Sequence, residues 1–189
     1  VWLWDDKGNK YLDAVAGVAV NGLGHCHPKL VAAIREQAGK LIHTSNLYNI
    51  ALQEKLAARL CELSGMDNVF FCNSGAEANE TAIKLARKYG NERGVTNPSI
   101  VVTEKSFHGR TLAALSATGS RKAQAGFEPL VQGFVRVPHN DIEAVEAVGR
   151  NDPSIVAVLV ETVQGESGVN VARTDYLQRL RKLCDEKQW

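Results

Sequence analysis

The chain has 189 residues, of which 44% are hydrophobic and 23% charged, a balance typical of a globular protein with a sizeable core. The formal net charge of +1 gives no electrostatic reason to expect a nucleic acid or an anionic membrane as a partner. No apolar run reaches the roughly 18 residues that a membrane-spanning helix requires.

The four cysteines are widely spaced and include no C-x-x-C pair. This spacing favours reduced thiols over a disulfide framework, and we therefore expect a cytoplasmic protein. The run His25-Cys26-His27 lacks a second cluster of ligands, so no metal site is expected.

The first third of the chain predicts a hairpin followed by helices. Trp2 and Trp4 occupy alternate positions, the Asp/Gly/Asn turn DDKGNK follows, and Tyr11 and Leu12 come after it, which predicts two antiparallel strands. A Gly-rich stretch then ends at Pro28, a residue suited to the first turn of a helix. A later amphipathic helix, closed by Gly65, is predicted from the helical spacing of Leu52, Leu56, Leu60 and Leu63.

Beyond Gly65, strands and helices alternate. Strands are expected at NVFFC, SIVVTE, GFVRV and SIVAVLVE. Thr174 is expected to cap the last helix. The helix after NVFFC is expected to turn one apolar face inward, formed by Ala78, Ala82, Leu85, Ala86 and Tyr89. The alternation predicts an α/β fold with a mostly parallel sheet and helices on both faces, in which ligands bind beyond the carboxyl ends of the strands.

A polar turn follows NVFFC and leads directly into a helix. Ser74 and Glu77 have the spacing of a capping box, so the helix is expected to begin at Gly75 or Ala76. A ligand can approach the backbone N–H groups of Gly75 and Ala76, and with the helix dipole they form a candidate phosphate site. The alternative is a well-capped helix without a ligand.

Two further loops follow predicted strands. Phe107 offers an aromatic face for stacking and Arg110 a guanidinium fork for a carboxylate, which together suit a planar anionic ligand. Glu161 and Glu166 place two carboxylates beyond a buried strand, where they are costly unless paired or functional. The alternatives are a packed phenylalanine, a solvated arginine and solvent-facing carboxylates, but three such loops on one rim favour a ligand site.

Together these segments resemble the class-III pyridoxal-phosphate-dependent aminotransferases of the acetylornithine/succinylornithine type. The matching segments, in the family's order and spacing, are GHCHP at 24–28, HTSNLY at 43–48, FFCNSGAEANETAIKLARK at 70–88, FHGRT at 107–111 and ETVQGE at 161–166. The resemblance implies the fold-type-I architecture and a homodimer with active sites at the subunit interface. It also implies that residues 1–44 are part of a small α+β domain and residues 45–189 the first part of the large cofactor-binding domain.

The cofactor implied by the resemblance is pyridoxal 5'-phosphate (PLP). The residues expected at this cofactor are Ser74, Gly75, Ala76, Phe107, His108 and Glu161. By resemblance, the first three hold the phosphate, the phenylalanine stacks on the pyridine ring with the histidine beside it, and the glutamate joins the polar network around the cofactor.

The resemblance places two residues at the substrate. Arg110 is expected to bind the α-carboxylate of the amino acid, and Glu166 matches a glutamate that in relatives pairs with a distant arginine. Thr162 and Ser167 depart from the family pattern, in which proline and Gly or Ala are usual. Both departures lie in the loop that carries Glu166.

The resemblance assigns no catalytic residue to this chain. In the family pattern the Schiff-base lysine and the aspartate that meets the pyridine nitrogen come later, so both are expected beyond Trp189. None of the lysines present matches the family's lysine, neither Lys84, Lys88 nor Lys105. Both ends read as cut from a longer chain, since Val1 already stands in a strand pattern. The 189 residues alone are therefore expected to be inactive.

The expected activity of the parent protein is transfer of the δ-amino group of N-acetylornithine to 2-oxoglutarate, which gives glutamate, in arginine biosynthesis. Ornithine, succinylornithine and 4-aminobutyrate remain alternative amino donors. A decarboxylase or mutase on the same scaffold is disfavoured by Arg110 and Glu166. An alternative of another class is a non-catalytic, cofactor-binding fragment.

Overall fold

A computed structural model describes residues 1–189, which divide into two compact units, Val1–Val69 and Phe70–Trp189. Residues 45–69 group with the first unit in this division, whereas the sequence pattern placed a boundary between residues 44 and 45. The assignment of residues 45–69 to the large domain stays a prediction.

The first unit contains the predicted hairpin and three helical segments. Strands β1 (Trp2–Trp4) and β2 (Lys10–Leu12) pair antiparallel, with Trp2 opposite Leu12. The helical segments that follow are α1 (Ala16–Ala19), α2 (Pro28–Ala38) and α3 (Ala51–Ser64). Pro28 is the first residue of α2, and α3 ends at Gly65 in the left-handed conformation (φ 70°), so both predicted boundaries are confirmed.

The second unit is a three-layer α/β arrangement, which confirms the predicted fold class. Its elements are α4 (Gly75–Glu92), β3 (Ser99–Thr103), α5 (Leu112–Ala117), α6 (Arg121–Gln124), β4 (Phe134–Val137), α7 (Ile142–Asn151), β5 (Ile155–Leu159), β6 (Val163–Gln164), β7 (Asn170–Val171) and α8 (Thr174–Lys187). The order of the main sheet is β4-β3-β5, and both pairings are parallel. Strands β6 and β7 form a separate antiparallel hairpin.

The central strand β3 is buried on both faces because it lies between two hydrophobic clusters. On one face, Ile100 and Val102 pack with Ile83 of α4 and Ala117 of α5. On the other face, Val101 packs with residues of α7 and α8, among them Ile142, Val145, Tyr176, Leu180 and Cys184. This two-sided burial explains why SIVVT reads as a continuous aliphatic run, and it fixes the carboxyl end of β3 at the centre of the sheet edge.

Three sequence expectations for local structure were wrong. NVFFC forms no strand, because no neighbouring strand pairs with it and Phe70 remains exposed. Arg173, rather than Thr174, occupies the cap position of α8, and it makes no side-chain capping hydrogen bond. The inner face of α4 carries Ile83, Gly90 and the partly buried Ala86. Of the predicted apolar face only Ala86 packs inward, and the others are exposed: Ala78, Ala82, Leu85 and Tyr89.

None of the helices is both long and apolar enough to cross a bilayer. The structure also holds no group of three or more His, Cys, Asp or Glu side chains arranged to bind a metal ion. His25 instead lies 2.6 Å from a carboxylate oxygen of Asp13.

Candidate functional site

The turn before α4 has the geometry that its sequence predicted. Ser74 has extended backbone angles (φ −154°, ψ 160°), and its hydroxyl oxygen accepts a hydrogen bond from the main-chain N–H of Glu77 at 3.2 Å. The Glu77 carboxylate accepts a hydrogen bond from the main-chain N–H of Asn73 at 2.7 Å. In a usual capping box the glutamate accepts from the N–H of the cap residue itself, which here is Ser74. Hydrogen bonds from Asn73 and Ser74 hold the pKa of Glu77 below its usual value, which keeps this carboxylate ionised.

The backbone N–H groups of Gly75 and Ala76 stand at the start of α4 and donate to no acceptor within the protein. A Cβ added at Gly75 would meet no atom within 4 Å, so an anion can approach this turn closely. Free N–H donors at the positive end of an 18-residue helix suit a phosphate group. The Ser74 hydroxyl is already engaged with Glu77, which leaves the two main-chain N–H groups as the free donors of this turn.

The loop after β3 is tied to the end of β5. The main-chain N–H of Phe107 donates to the Glu161 carboxylate at 2.9 Å. Burial raises the pKa of Glu161; the Phe107 N–H opposes this rise and the negative charge of Glu166 adds to it. The structure thus brings Glu161 into contact with the loop that carries Phe107, which we call the aromatic loop. This is expected for parallel strands whose carboxyl ends share one edge of the sheet.

The same loop also packs against the start of α4. Gly109 has φ +128°, and a Cβ there would lie 2.8 Å from the Cβ of Ala76. The Asn79 side-chain amide donates to the main-chain oxygen of His108 at 2.7 Å. A glycine at position 109 is therefore required both by the backbone angle and by the close approach of the two segments. These contacts place the turn at Ser74–Ala76, named the phosphate turn for its candidate ligand, side by side with FHGRT.

His108 is buried within the loop, and only 4% of its surface is exposed. Its main-chain N–H donates to the Thr118 hydroxyl at 2.9 Å, and its Nε2 atom has no hydrogen-bond partner. Burial, assisted by the positive charge of Arg136, lowers the pKa of His108 to about 4. The imidazole is therefore neutral at pH 7 and presents an uncharged, planar face.

The two residues expected at the substrate are exposed. The Arg110 guanidinium carbon lies 5.6 Å from the centre of the Phe107 ring, and no carboxylate of the protein pairs with it. Glu166 lies in the loop between β6 and β7. This hairpin is anchored by buried Gln164, whose amide donates to the main-chain oxygen of Glu104 at 2.8 Å. Arg110 therefore remains available for a carboxylate ligand.

The model of the family described as aminotransferase class-III matches residues 1–189 of the chain. The chain belongs to the class-III aminotransferases. It is 63% identical to the acetylornithine aminotransferase of Nitrosomonas europaea over the whole chain and 48% of that relative. This class-III aminotransferase chain therefore spans about half the length of the curated relatives it matches.

Solved structures of class-III relatives share the fold. The ornithine aminotransferase of Toxoplasma gondii ME49 superposes with a TM-score of 0.92 at 35% identity, over 99% of this chain and 45% of that one. A second structure of that enzyme has PLP at partial occupancy in its active site. The N-acetylornithine aminotransferase of Stenotrophomonas maltophilia K279a superposes with a TM-score of 0.79 at 39% identity, over 99% of this chain and 46% of that one.

Sequence reasoning missed several polar residues that hold this class-III site together. They are Asn79, Glu80, Thr118 and Gln164, and each bonds a loop that carries a predicted ligand residue. One signal was available for the first two, because they lie three and four positions after Ala76 and so share its face of α4. The other two are revealed only by the tertiary fold.

Proposed function

We propose that the parent protein is a PLP-dependent aminotransferase that moves the δ-amino group of N-acetylornithine to 2-oxoglutarate. The observation that carries the proposal is the assembly of three separate segments, the phosphate turn, FHGRT and Glu161, through direct contacts. Support for the amino donor comes from curated acetylornithine aminotransferases that are 51% to 63% identical over 98% or more of this chain.

The residues of the site suit PLP. Gly75 and Ala76 would bind the phosphate through their N–H groups, with Ser74 fixing the turn that presents them. The Phe107 ring would lie against the pyridine, and His108 beside it would remain neutral because of its low pKa. Glu161 would keep the Phe107 loop in place and take part in the polar surroundings of the cofactor. When bound, PLP supplies the electron sink that amino-group transfer requires.

Arg110 and Glu166 would handle the substrates. The free guanidinium fork of Arg110 suits the α-carboxylate that glutamate and 2-oxoglutarate share. Glu166 would discriminate between the two substrates by pairing with an arginine outside this chain when the amino donor is bound. Its exposed position in the β6–β7 loop supports such a movable role.

The proposed active protein is larger than the 189 residues described here. Lys84, Lys88 and Lys105 do not match the family's reactive lysine, and the Lys88 amine lies 2.9 Å from a Glu92 carboxylate oxygen on the outside of α4. We infer that these 189 residues contribute cofactor- and substrate-binding residues to the parent protein and are inactive alone. The widely spaced free thiols support a cytoplasmic location.

A homodimer is the proposed assembly. Its support is the exposed apolar surface of α3, where Leu52, Leu56, Leu60 and Leu63 all face outward. Light scattering on the purified parent protein tests this point directly, and a monomeric mass would contradict it.

The test of the proposed function is a donor comparison with the PLP-loaded parent protein. Glutamate formation from 2-oxoglutarate is measured with N-acetylornithine, ornithine, succinylornithine and 4-aminobutyrate as donors. The highest kcat/KM is expected for N-acetylornithine, and a higher value for another donor would replace it as the proposed substrate. The 189-residue chain, assayed in parallel, is expected to form no glutamate.

A further inference from the structure

Helix α4 directs three side chains at the FHGRT loop. Ala76 meets Gly109, Asn79 donates to the main-chain oxygen of His108 at 2.7 Å, and Glu80 bonds the residues that follow Arg110. Their spacing of three and four positions puts all three on one side of the helix. The helix that presents the phosphate donors is therefore the same helix that holds the aromatic loop.

Glu80 caps α5 from a different helix. Its Oε1 atom accepts hydrogen bonds from the N–H groups of Ala113 at 3.2 Å and Ala114 at 3.1 Å, and from the Thr111 hydroxyl. Thr111 itself occupies the cap position of α5 but makes no side-chain capping bond. Glu80 therefore supplies, from another helix, the capping acceptor that the Thr111 side chain does not provide.

Arg110 immediately precedes the segment that Glu80 fixes, which begins at Thr111, whereas His108 and Phe107 precede that segment by three and four positions. The two bonded side chains therefore act on different parts of the loop. Asn79 fixes the peptide between His108 and Gly109, on the side of the aromatic ring. Glu80 fixes the start of α5, which begins two positions after Arg110.

We propose that Asn79 and Glu80 are positioning residues, which set the FHGRT loop against the phosphate turn through separate contacts to its cofactor and substrate ends. Asn79 controls the aromatic residues that meet the cofactor, and Glu80 controls the direction of Arg110. The assignment of these two ends rests on the proposed function, whereas the contacts themselves are independent of it.

Two substitutions distinguish the bonds from general packing. Glu80→Gln keeps an oxygen at the position that accepts all three hydrogen bonds, so it is expected to preserve most of the contact. Asn79→Asp replaces an amide donor with an acceptor opposite the His108 carbonyl oxygen, so it abolishes the bond with little change in volume. Glu92→Ala is the matched control, because Glu92 is an exposed carboxylate of the same helix that pairs only with Lys88.

The experiment uses the full-length, PLP-loaded parent protein. Glu80→Ala is expected to raise KM for 2-oxoglutarate about tenfold, which is the order of the effect of one lost hydrogen bond, with recovery in Glu80→Gln. Asn79→Asp is expected to raise the PLP dissociation constant by about tenfold. Glu92→Ala should match the wild type in both measurements. A uniform fall in kcat for Glu80→Ala and Asn79→Asp, without this division between substrate and cofactor, would overturn the proposal.

Amide hydrogen exchange of the cofactor-free parent protein tests the contacts without any activity. Glu80→Ala should speed the exchange of the Ala113 and Ala114 amides at least about tenfold, while Glu80→Gln and Glu92→Ala retain slow exchange. Unchanged exchange in Glu80→Ala would overturn the capping role. If the wild-type parent transfers no amino group, the proposed function fails, yet this exchange experiment still decides whether Glu80 holds α5.

Discussion

The main-chain N–H of Phe107 and a carboxylate oxygen of Glu161 are 2.9 Å apart, although 54 positions separate the two residues in the chain. The bond joins the loops that leave β3 and β5, which are neighbours in the parallel sheet. Because the carboxylate is partly withdrawn from water, its pKa is raised, and the N–H donor offsets part of that cost. Glu161 therefore holds the Phe107 loop against the end of β5, in addition to its proposed place near the cofactor.

Glu161→Ala should therefore weaken PLP binding. We expect the dissociation constant to rise about tenfold in Glu161→Ala and to change far less in Glu161→Gln, which keeps an oxygen acceptor for the Phe107 N–H. Fluorescence titration of the cofactor-free parent protein with PLP measures both. Glu186→Gln, an exposed carboxylate on α8, serves as the control. Equal weakening in the Ala and Gln variants would mean that the charge, rather than the hydrogen bond, is required.

Gly75→Ala should change PLP affinity without reducing the free energy of unfolding. An added Cβ meets no protein atom within 4 Å, and alanine favours helix over glycine, so the free energy of unfolding should be unchanged or slightly increased. The same methyl group would stand beside the N–H donors of the phosphate turn, and PLP affinity should fall by about tenfold or more. Denaturant unfolding and PLP titration of the parent protein measure the two effects.

Gly39→Ala supplies the matched control, since Gly39 follows α2 at φ −76° and a Cβ there makes only ordinary van der Waals contacts. It should leave PLP affinity unchanged. Undiminished PLP affinity in Gly75→Ala would exclude this turn as the phosphate site.

The sequence patterns predicted the second unit well where packing follows hydrophobic periodicity. SIVVT is a strand covered on both faces, and the capping residues Ser74 and Glu77 correctly located the start of α4. NVFFC failed because an apolar run becomes a strand only when another strand supplies its hydrogen bonds, and none does here. The hydrophobic pattern of NVFFC gives no information on whether another strand is available to pair with it.

The prediction for the inner face of α4 was wrong because two polar residues turn toward the protein. Asn79 and Glu80 turn inward because they bond the FHGRT loop, and the apolar residue Leu85 consequently faces outward. Hydrophobic periodicity assigns polar residues to the solvent-exposed face of a helix. Where polar residues instead bond a loop of the protein, the method therefore exchanges the buried and exposed faces. For the same reason the ligand residues could be predicted from motifs, whereas the residues that position them required tertiary contacts.

Gly109→Ala should damage the site through the backbone. The residue has φ +128°, which alanine rarely adopts, and its new Cβ would lie 2.8 Å from the Ala76 Cβ. We expect a loss of about 1–3 kcal/mol in the free energy of unfolding, measured by denaturant titration of the parent protein. The double variant with Ala76→Gly removes the methyl contact but not the strained angle, so it should recover only part of the loss. Wild-type stability in the single variant would contradict the described geometry.

His108 should make the stability of the protein depend on pH. Its pKa is about 4 in the folded chain, below the ordinary value of 6.5, so on acidification the unfolded state takes up a proton first. The stabilising contribution of the neutral, buried ring is therefore complete above pH 6.5 and is lost progressively as the pH falls toward 4. Between pH 7.5 and 5.0 the expected loss is about 2 kcal/mol, at about 1.4 kcal/mol for each unit of pKa difference.

Denaturant unfolding of the wild-type parent and of His108→Gln, at both pH values and at one protein concentration, measures this contribution. Glutamine has no proton to gain in this range, so the free energy of unfolding of His108→Gln should fall about 2 kcal/mol less between pH 7.5 and 5.0 than that of the wild type. Comparing the pH dependence rather than the stability at one pH removes any packing defect of the variant, because that defect is the same at both values. Parallel pH dependence in the two proteins would show that His108 titrates near its ordinary pKa, and hence that the loop is open to water.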